Sequence, residues 1–138
     1  MAEDFHKGHC QLLGQLTQIG DITEAAYNER FRQMAASGDT YHTIVIEDTT
    51  KNLIIGSATL IIELKFIRSC SRAGHIEDVV VNTSYRGKNL GLRLIGALKE
   101  IASARGCYKV MLDCSESNMK FYAKMGFRES ERHMRCDL

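Results

Sequence analysis

His75-Ile76-Glu77-Asp78-Val79-Val80-Val81, a short polar connection, and then Arg86-Gly87-Lys88-Asn89-Leu90-Gly91 form the stretch from which the fold is read. The first segment is dominated by Ile and Val, the composition of a strand. Past the loop, Leu90, Leu94, Ala97, Leu98, Ile101 and Ala102 recur at helical spacing and make one apolar face, with Gly106 placed to stop the helix. Tyr108 to Cys114 is the next strand candidate. A strand, a crossover helix and a strand in that order predict a parallel pair.

Upstream, Tyr41 to Glu47 and Leu53 to Phe66 flank the polar tip Asp48-Thr49-Thr50-Lys51-Asn52 and predict an antiparallel hairpin. Ile67 to Gly74 reads as a short polar segment. Thr23 suits an N-cap with Glu24 in the first turn, and Tyr27, Phe31 and Met34 predict a helix that ends at Gly38. Cys10 to Thr17 predicts a first strand. Downstream, Asn118 to Met125 predicts a short helix closed by Gly126, and Phe127 to about Cys136 a last strand. The expected fold class is α/β: a mixed, mostly antiparallel sheet with a central parallel pair and helices on both faces.

The 138 residues suit one hydrophobic core, hence one domain over residues 1–138. A formal net charge of +1 gives no global reason to expect nucleic acid or an anionic membrane as partner, so an anionic ligand has to meet a local cluster. Leu53 to Leu64, the most apolar stretch, is interrupted by Gly56, Ser57, Thr59 and Glu63 and does not suit a membrane span. Met1 to Gly20 lacks the order of a secretory signal, and a cytoplasmic protein is expected. The five cysteines are odd in number and form no C-x-x-C pair, so we expect mostly reduced, buried, small apolar residues. His6, His9 and Cys10 have no distant ligands to complete a set, and no metal is expected.

Gly87 and Gly91 bracket the point where strand gives way to helix. A helix start presents unpaired N–H groups, glycines allow close approach, and Arg86 and Lys88 add positive charge. These features suit a diphosphate cradle, although a solvated turn has the same composition. Neither a Walker A loop nor a dinucleotide fingerprint is present, which disfavours a nucleotide triphosphatase or a dehydrogenase.

Arg86 to Gly91 resembles the acetyl-CoA loop of the GNAT superfamily, with Asn89 standing at that pattern's inner glycine. Asn tolerates positive φ better than most residues. Asn118-Met119-Lys120-Phe121-Tyr122-Ala123-Lys124-Met125-Gly126-Phe127 resembles a second feature of the superfamily. Thr59 to Glu63, Lys65 to Ile67, Ile76 to Val81, Cys107 to Lys109 and Leu112 to Cys114 narrow the resemblance to GNAT enzymes that acetylate glucosamine 6-phosphate. The resemblance runs from about Leu12 to the last predicted strand.

The resemblance implies the GNAT fold and transfer of acetyl from acetyl-CoA to the 2-amino group of glucosamine 6-phosphate, a step toward UDP-N-acetylglucosamine. It implies a homodimer with sites near the subunit interface. The parallel strands would splay, with pantetheine between them pairing with main-chain groups of Val79, Val80 and Val81. The loop Arg86, Gly87, Lys88, Asn89, Leu90, Gly91 would hold the pyrophosphate and Asn118 would help hold the cofactor. Tyr122 matches the position whose hydroxyl faces the CoA sulfur; its other role is an aromatic packing on the sheet.

Strand alternation sends Glu77 and Asp78 to opposite faces, and a carboxylate in an apolar strand is costly unless paired. The two therefore cannot share one job: Glu77 is the candidate to orient the amine and draw off its proton through water, and Asp78 is carried as a substrate-binding residue only. Asp113, at the end of the neighbouring strand, is a second carboxylate for the amine or the sugar hydroxyls, or a strand-end turn residue. By the resemblance, Lys65, Phe66, Ile67 and Arg68 form a substrate-contacting segment, Lys109 is a further cation, and Thr17 aligns with a threonine that touches the sugar. The family's penultimate arginine is replaced by Asp137; Arg135, two residues earlier on the same strand face, is the candidate substitute. Cys114 borders the site. Two rival readings share the cofactor loop: a GNAT enzyme acting on another amine, and a non-catalytic acyl-CoA sensor.

Overall fold

The computed structural model describes residues 2–138. Its sheet has four strands in the order β1-β2-β3-β4: β1 (Tyr41–Asp48), β2 (Leu53–Leu64), β3 (Arg72–Val81) and β4 (Cys107–Met111). β1 and β2 form the expected antiparallel hairpin, β2 and β3 pair antiparallel, and β3 and β4 are the expected parallel pair. The helices are α1 (His9–Leu13), α2 (Glu24–Ala36), the single turn α3 (Ile67–Cys70), α4 (Leu90–Ala104) and α5 (Met119–Ala123).

The predicted apolar face of α4 is the core. Leu94, Ile95, Leu98 and Ala102 are buried against Ala58, Leu60 and Ile62 of β2 and Ile76 of β3. On the opposite face, Leu12 of α1 packs with Ile54 and Val80. Helices therefore cover both faces, as the apolar patterns require.

Cys10 to Thr17 is not a strand: His9–Leu13 is helical, and His9, Cys10 and Leu12 are its buried side chains. A short apolar run fits either period, and here burial against β2 and β3 decides for the helix. The helix after Thr23 forms as expected, with the Thr23 hydroxyl accepting from the Ala26 N–H (3.2 Å). β3 begins at Arg72 rather than His75, because pairing with Leu64 on one side and Cys107 on the other extends it through Gly74. The segment before it turns through left-handed backbone at Arg68 (φ 56°) and Ser69 (φ 57°), which side-chain pattern does not signal.

The predicted last strand is absent: residues 127–138 carry no regular secondary structure, and among the described residues β4 stays an edge strand. A strand exists only where a partner edge supplies its ladder. Of the cysteines, Cys10 alone is buried; Cys70, Cys114 and Cys136 are exposed, which corrects the expectation of mostly buried thiols. Among the described residues no helix is long and apolar enough to cross a membrane.

Candidate active site

The parallel pairing runs from Arg72↔Cys107 to His75↔Met111 and then stops, although β3 continues to Val81. The chain beyond Met111 parts from β3. A cleft of about 320 Å³ opens there, with Ile76, Glu77, Asp78 and Val79 on one side and Leu112, Asp113, Cys114 and Ser115 on the other. Asn118, Tyr122 and Leu16 complete its lining.

Glu77 and Asp78 do not alternate as a regular strand would place them. The β2–β3 register shifts between Ser57 and Thr59, Asp78 has φ 53°, and both acids line the same cleft. A bulge at Asp78 is the reason: one extra residue cancels the two-residue period, so that Val79 packs on the α4 core and Val80 on the α1 side. Partial burial, then the negative charges of Asp113 and Asp78, push the Glu77 carboxyl above the usual carboxylate range, while His75 and His133 oppose the shift. Asp113 accepts from His133 Nδ1 at 2.9 Å when that ring carries its proton there.

Tyr122 is half-buried, and burial followed by the neighbouring Cys114 raises its hydroxyl's pKa, so it keeps its proton at neutral pH. Its ring meets Phe121 at 5.0 Å and 80° and Phe127 at 6.1 Å and 73°. Phe121 in turn lies against Gly91: a Cβ added there would sit 2.9 Å from Phe121 Cζ. The cleft and the start of α4 are thus joined through α5.

The loop between β3 and α4 has the backbone that its sequence suggests. Arg86 is extended, Gly87 has φ 82°, and Asn89 is left-handed at φ 59°, ψ 18°, as the N-cap of α4. Nothing lies within 4 Å of where a Gly87 side chain would begin. Arg86, Gly87, Lys88 and Asn89 are exposed, and the amides of the first α4 turn have no intrahelical acceptors. Exposed N–H groups, open space at Gly87 and two basic side chains fit a diphosphate.

Other expected substrate residues lie elsewhere. Lys65 donates to Glu63 Oε1 (2.5 Å), and Glu63 Oε2 pairs with His75 Nε2 (2.8 Å), so Lys65 is engaged inside its own strand end. Arg68 and Lys109 flank the Tyr108 ring, 5.3 and 5.7 Å from its centroid, outside the cleft lining. Phe66 and Ile67 are exposed, at 96% and 63%. Thr17 is exposed and does not line the cleft, whereas Leu16 does. Arg135 pairs with Asp137, and no strand carries it toward the cleft, which removes the same-face argument for it.

Sequence reading missed His133 at Asp113 and Leu16 in the lining; both sit on segments that it took for strands and that are not strands in the structure. His9, weighed as a metal ligand, is buried between the Tyr27 hydroxyl (2.6 Å) and the Ser57 hydroxyl (2.9 Å).

Residues 12–127 match the model of the Acetyltransferase (GNAT) family. The chain is 53% identical over 125 residues to glucosamine 6-phosphate N-acetyltransferase 1 of Dictyostelium discoideum, covering 91% of this chain and 79% of that protein. It is 43% identical over 131 residues to the glucosamine 6-phosphate N-acetyltransferase of Arabidopsis thaliana, covering 95% and 88%. The crystal structure of glucosamine-6-phosphate N-acetyltransferase from Arabidopsis thaliana superposes with a TM-score of 0.97 at 41% identity, over 99% of this chain and 93% of that one. A Trypanosoma brucei acetyltransferase structure gives 0.93 at 43% identity, over 100% and 95%. With the parted strands, the helix-start loop and the aromatic α5 all inside the matched span, the chain belongs to the acetyltransferase (GNAT) family and, within it, to the glucosamine 6-phosphate N-acetyltransferases.

Proposed function

We propose that the cleft between the parted strands moves acetyl from acetyl-CoA to the 2-amino group of glucosamine 6-phosphate, giving N-acetylglucosamine 6-phosphate and CoA. The observation that carries this reading is the gathering of Glu77, Asp78, Asp113 and Tyr122 around one cleft beside a basic helix-start loop. The names of the relatives supply the identity of the sugar.

Acetyl-CoA supplies the acetyl group as a thioester. Main-chain groups of Val79, Val80 and Val81, beyond the last β3–β4 pair, hold its pantetheine arm, and an N–H there donates to the thioester carbonyl oxygen. Arg86, Lys88 and the first α4 amides bind the pyrophosphate, and Asn118 helps position the arm. Glu77 orients the amine and takes its proton through water; its raised pKa brings it nearer the working pH, where a base is most effective. Asp113 and Asp78 favour an ammonium-bearing substrate over an anionic one at that end of the cleft. Tyr122, kept protonated by its surroundings, gives a proton to the departing sulfur.

The reading includes a homodimer, and the exposed run Leu64, Phe66 and Ile67 supports association through that side of the molecule. Arg68 and Lys109 are the cations assigned to the sugar phosphate. The reading puts the reaction in the cytoplasm, as a step toward UDP-N-acetylglucosamine.

Mixing the protein with acetyl-CoA and following thiol release against glucosamine 6-phosphate, glucosamine or a lysine peptide tests the reading. Release is expected with the sugar phosphate. Release only with the peptide would replace it by acetylation of another amine.

A further inference from the structure

We infer that Tyr85 and Asp48 form a positioning pair that ties the tip of the β1–β2 hairpin to the cofactor loop and so presets Lys88 and the start of α4 for acetyl-CoA. The inference rests on the assignment of Arg86 to Gly91 as the pyrophosphate loop and extends it to two residues outside that loop. Tyr85 ends the short 3-10 turn Thr83–Tyr85, immediately before Arg86. Its hydroxyl donates to Asp48 Oδ2 (2.6 Å) and accepts from Lys51 Nζ (2.9 Å). The Lys88 ammonium lies 5.1 Å from the centroid of the same ring.

Asp48 is itself held in place. Its Oδ1 accepts from the Thr50 N–H (3.1 Å), the Thr50 hydroxyl (2.6 Å) and the Lys51 N–H (3.3 Å), which closes the hairpin turn. The acceptor that Tyr85 finds is therefore a fixed carboxylate on a tip braced by the paired strands β1 and β2. A bond to an ionised acceptor is about twice as strong as one between neutral groups. The loop beyond Tyr85 passes through positive φ at Gly87 and Asn89 and is exposed, so an anchor at its entry determines where the chain resumes as α4. The Tyr85 ring also gives the long Lys88 side chain a cation–π seat near the loop, which reduces the rotamer freedom lost when an anion binds.

A structural hydroxyl would affect stability alone; a positioning pair has to affect one substrate and spare the other. Calorimetric binding of acetyl-CoA and steady-state kinetics are measured on wild type, Tyr85→Phe, Asp48→Ala and Asp48→Asn, with amide exchange of residues 86–92 in the free protein as a second readout. In Tyr85→Phe, acetyl-CoA binding is expected to weaken about five- to tenfold, a part of what a hydrogen bond to a charged group is worth, because the bond is missing from the free and the bound protein alike. The KM for glucosamine 6-phosphate and kcat at saturating acetyl-CoA stay within about twofold of wild type. Exchange in the loop quickens, and Asp48→Asn, which retains an acceptor, recovers part of what Asp48→Ala loses. Acetyl-CoA affinity and loop exchange unchanged in Tyr85→Phe would overturn the inference while leaving the loop assignment standing. A wild-type protein that does not bind acetyl-CoA would overturn the loop assignment and this inference together.

Discussion

Asn89 is the residue at which this loop departs from the pattern it resembles, and its left-handed backbone shows why the departure is tolerated: Asn is among the few side-chain-bearing residues that adopt αL readily. On the proposed reading, Tyr122 and Glu77 carry the chemistry that separates an enzyme from an acyl-CoA sensor. Tyr122→Phe keeps the ring stack and removes the proton, so kcat is expected to fall on the order of a hundredfold with an unchanged thermal melt. Glu77 works as a base only when ionised, so activity is present above its raised pKa and is lost as pH falls through it. Asp113 is one of the charges that raise this pKa, and Asp113→Asn is expected to move the acid limb of kcat/KM to lower pH. A limb that stays in place would mean that another group takes the proton.

At the scale of elements, the close contact between α4 and α5 links the loop Arg86 to Gly91 to the cleft. Gly91→Ala puts a Cβ 2.9 Å from Phe121 Cζ, so the ring and with it α5 have to shift. A cost of about 1–3 kcal/mol is expected in urea unfolding, as for other overpacked contacts. Because Tyr122 follows Phe121, kcat should fall as well, and a variant that is destabilised yet fully active would separate α5 from catalysis. The elements that sequence predicted well, the hairpin, α2 and α4, are those with strong periodicity, as in α4, or a local cap, as at Thr23 of α2. The ones it misjudged, Cys10 to Thr17 and Phe127 to Cys136, are short runs whose state depends on what lies beside them.

For the whole molecule, the docking of the N-terminal segment onto the sheet is where pH and stability meet. Burial holds the His9 pKa below its unfolded value of 6.5, against a smaller opposing effect of Asp4. The unfolded chain then binds the extra proton first, so the stability of this contact is present above about 6.5 and is lost as pH falls toward the depressed folded value. Melting temperature is expected to drop between neutral pH and about pH 5, and His9→Gln, which keeps hydrogen-bonding capacity without titrating there, should flatten that slope. An equally steep slope in the variant would assign the pH dependence to other groups.

The amino-acid sequence by itself determined the parallel pair around α4, the hairpin and the glycine-bearing turn Arg86 to Gly91 at the helix start, because each rests on local periodicity or a contiguous motif. Only the tertiary structure decided that the strands part after His75 and Met111, that a bulge turns Glu77 and Asp78 into one cleft, and that Lys65 is engaged by Glu63. It also placed His133 on Asp113 and Tyr85 on Asp48, contacts between segments far apart in the chain. The division follows from range: a helix face or a glycine turn is specified by neighbours in sequence, whereas register, bulges and ion-pair partners are fixed by neighbours in space.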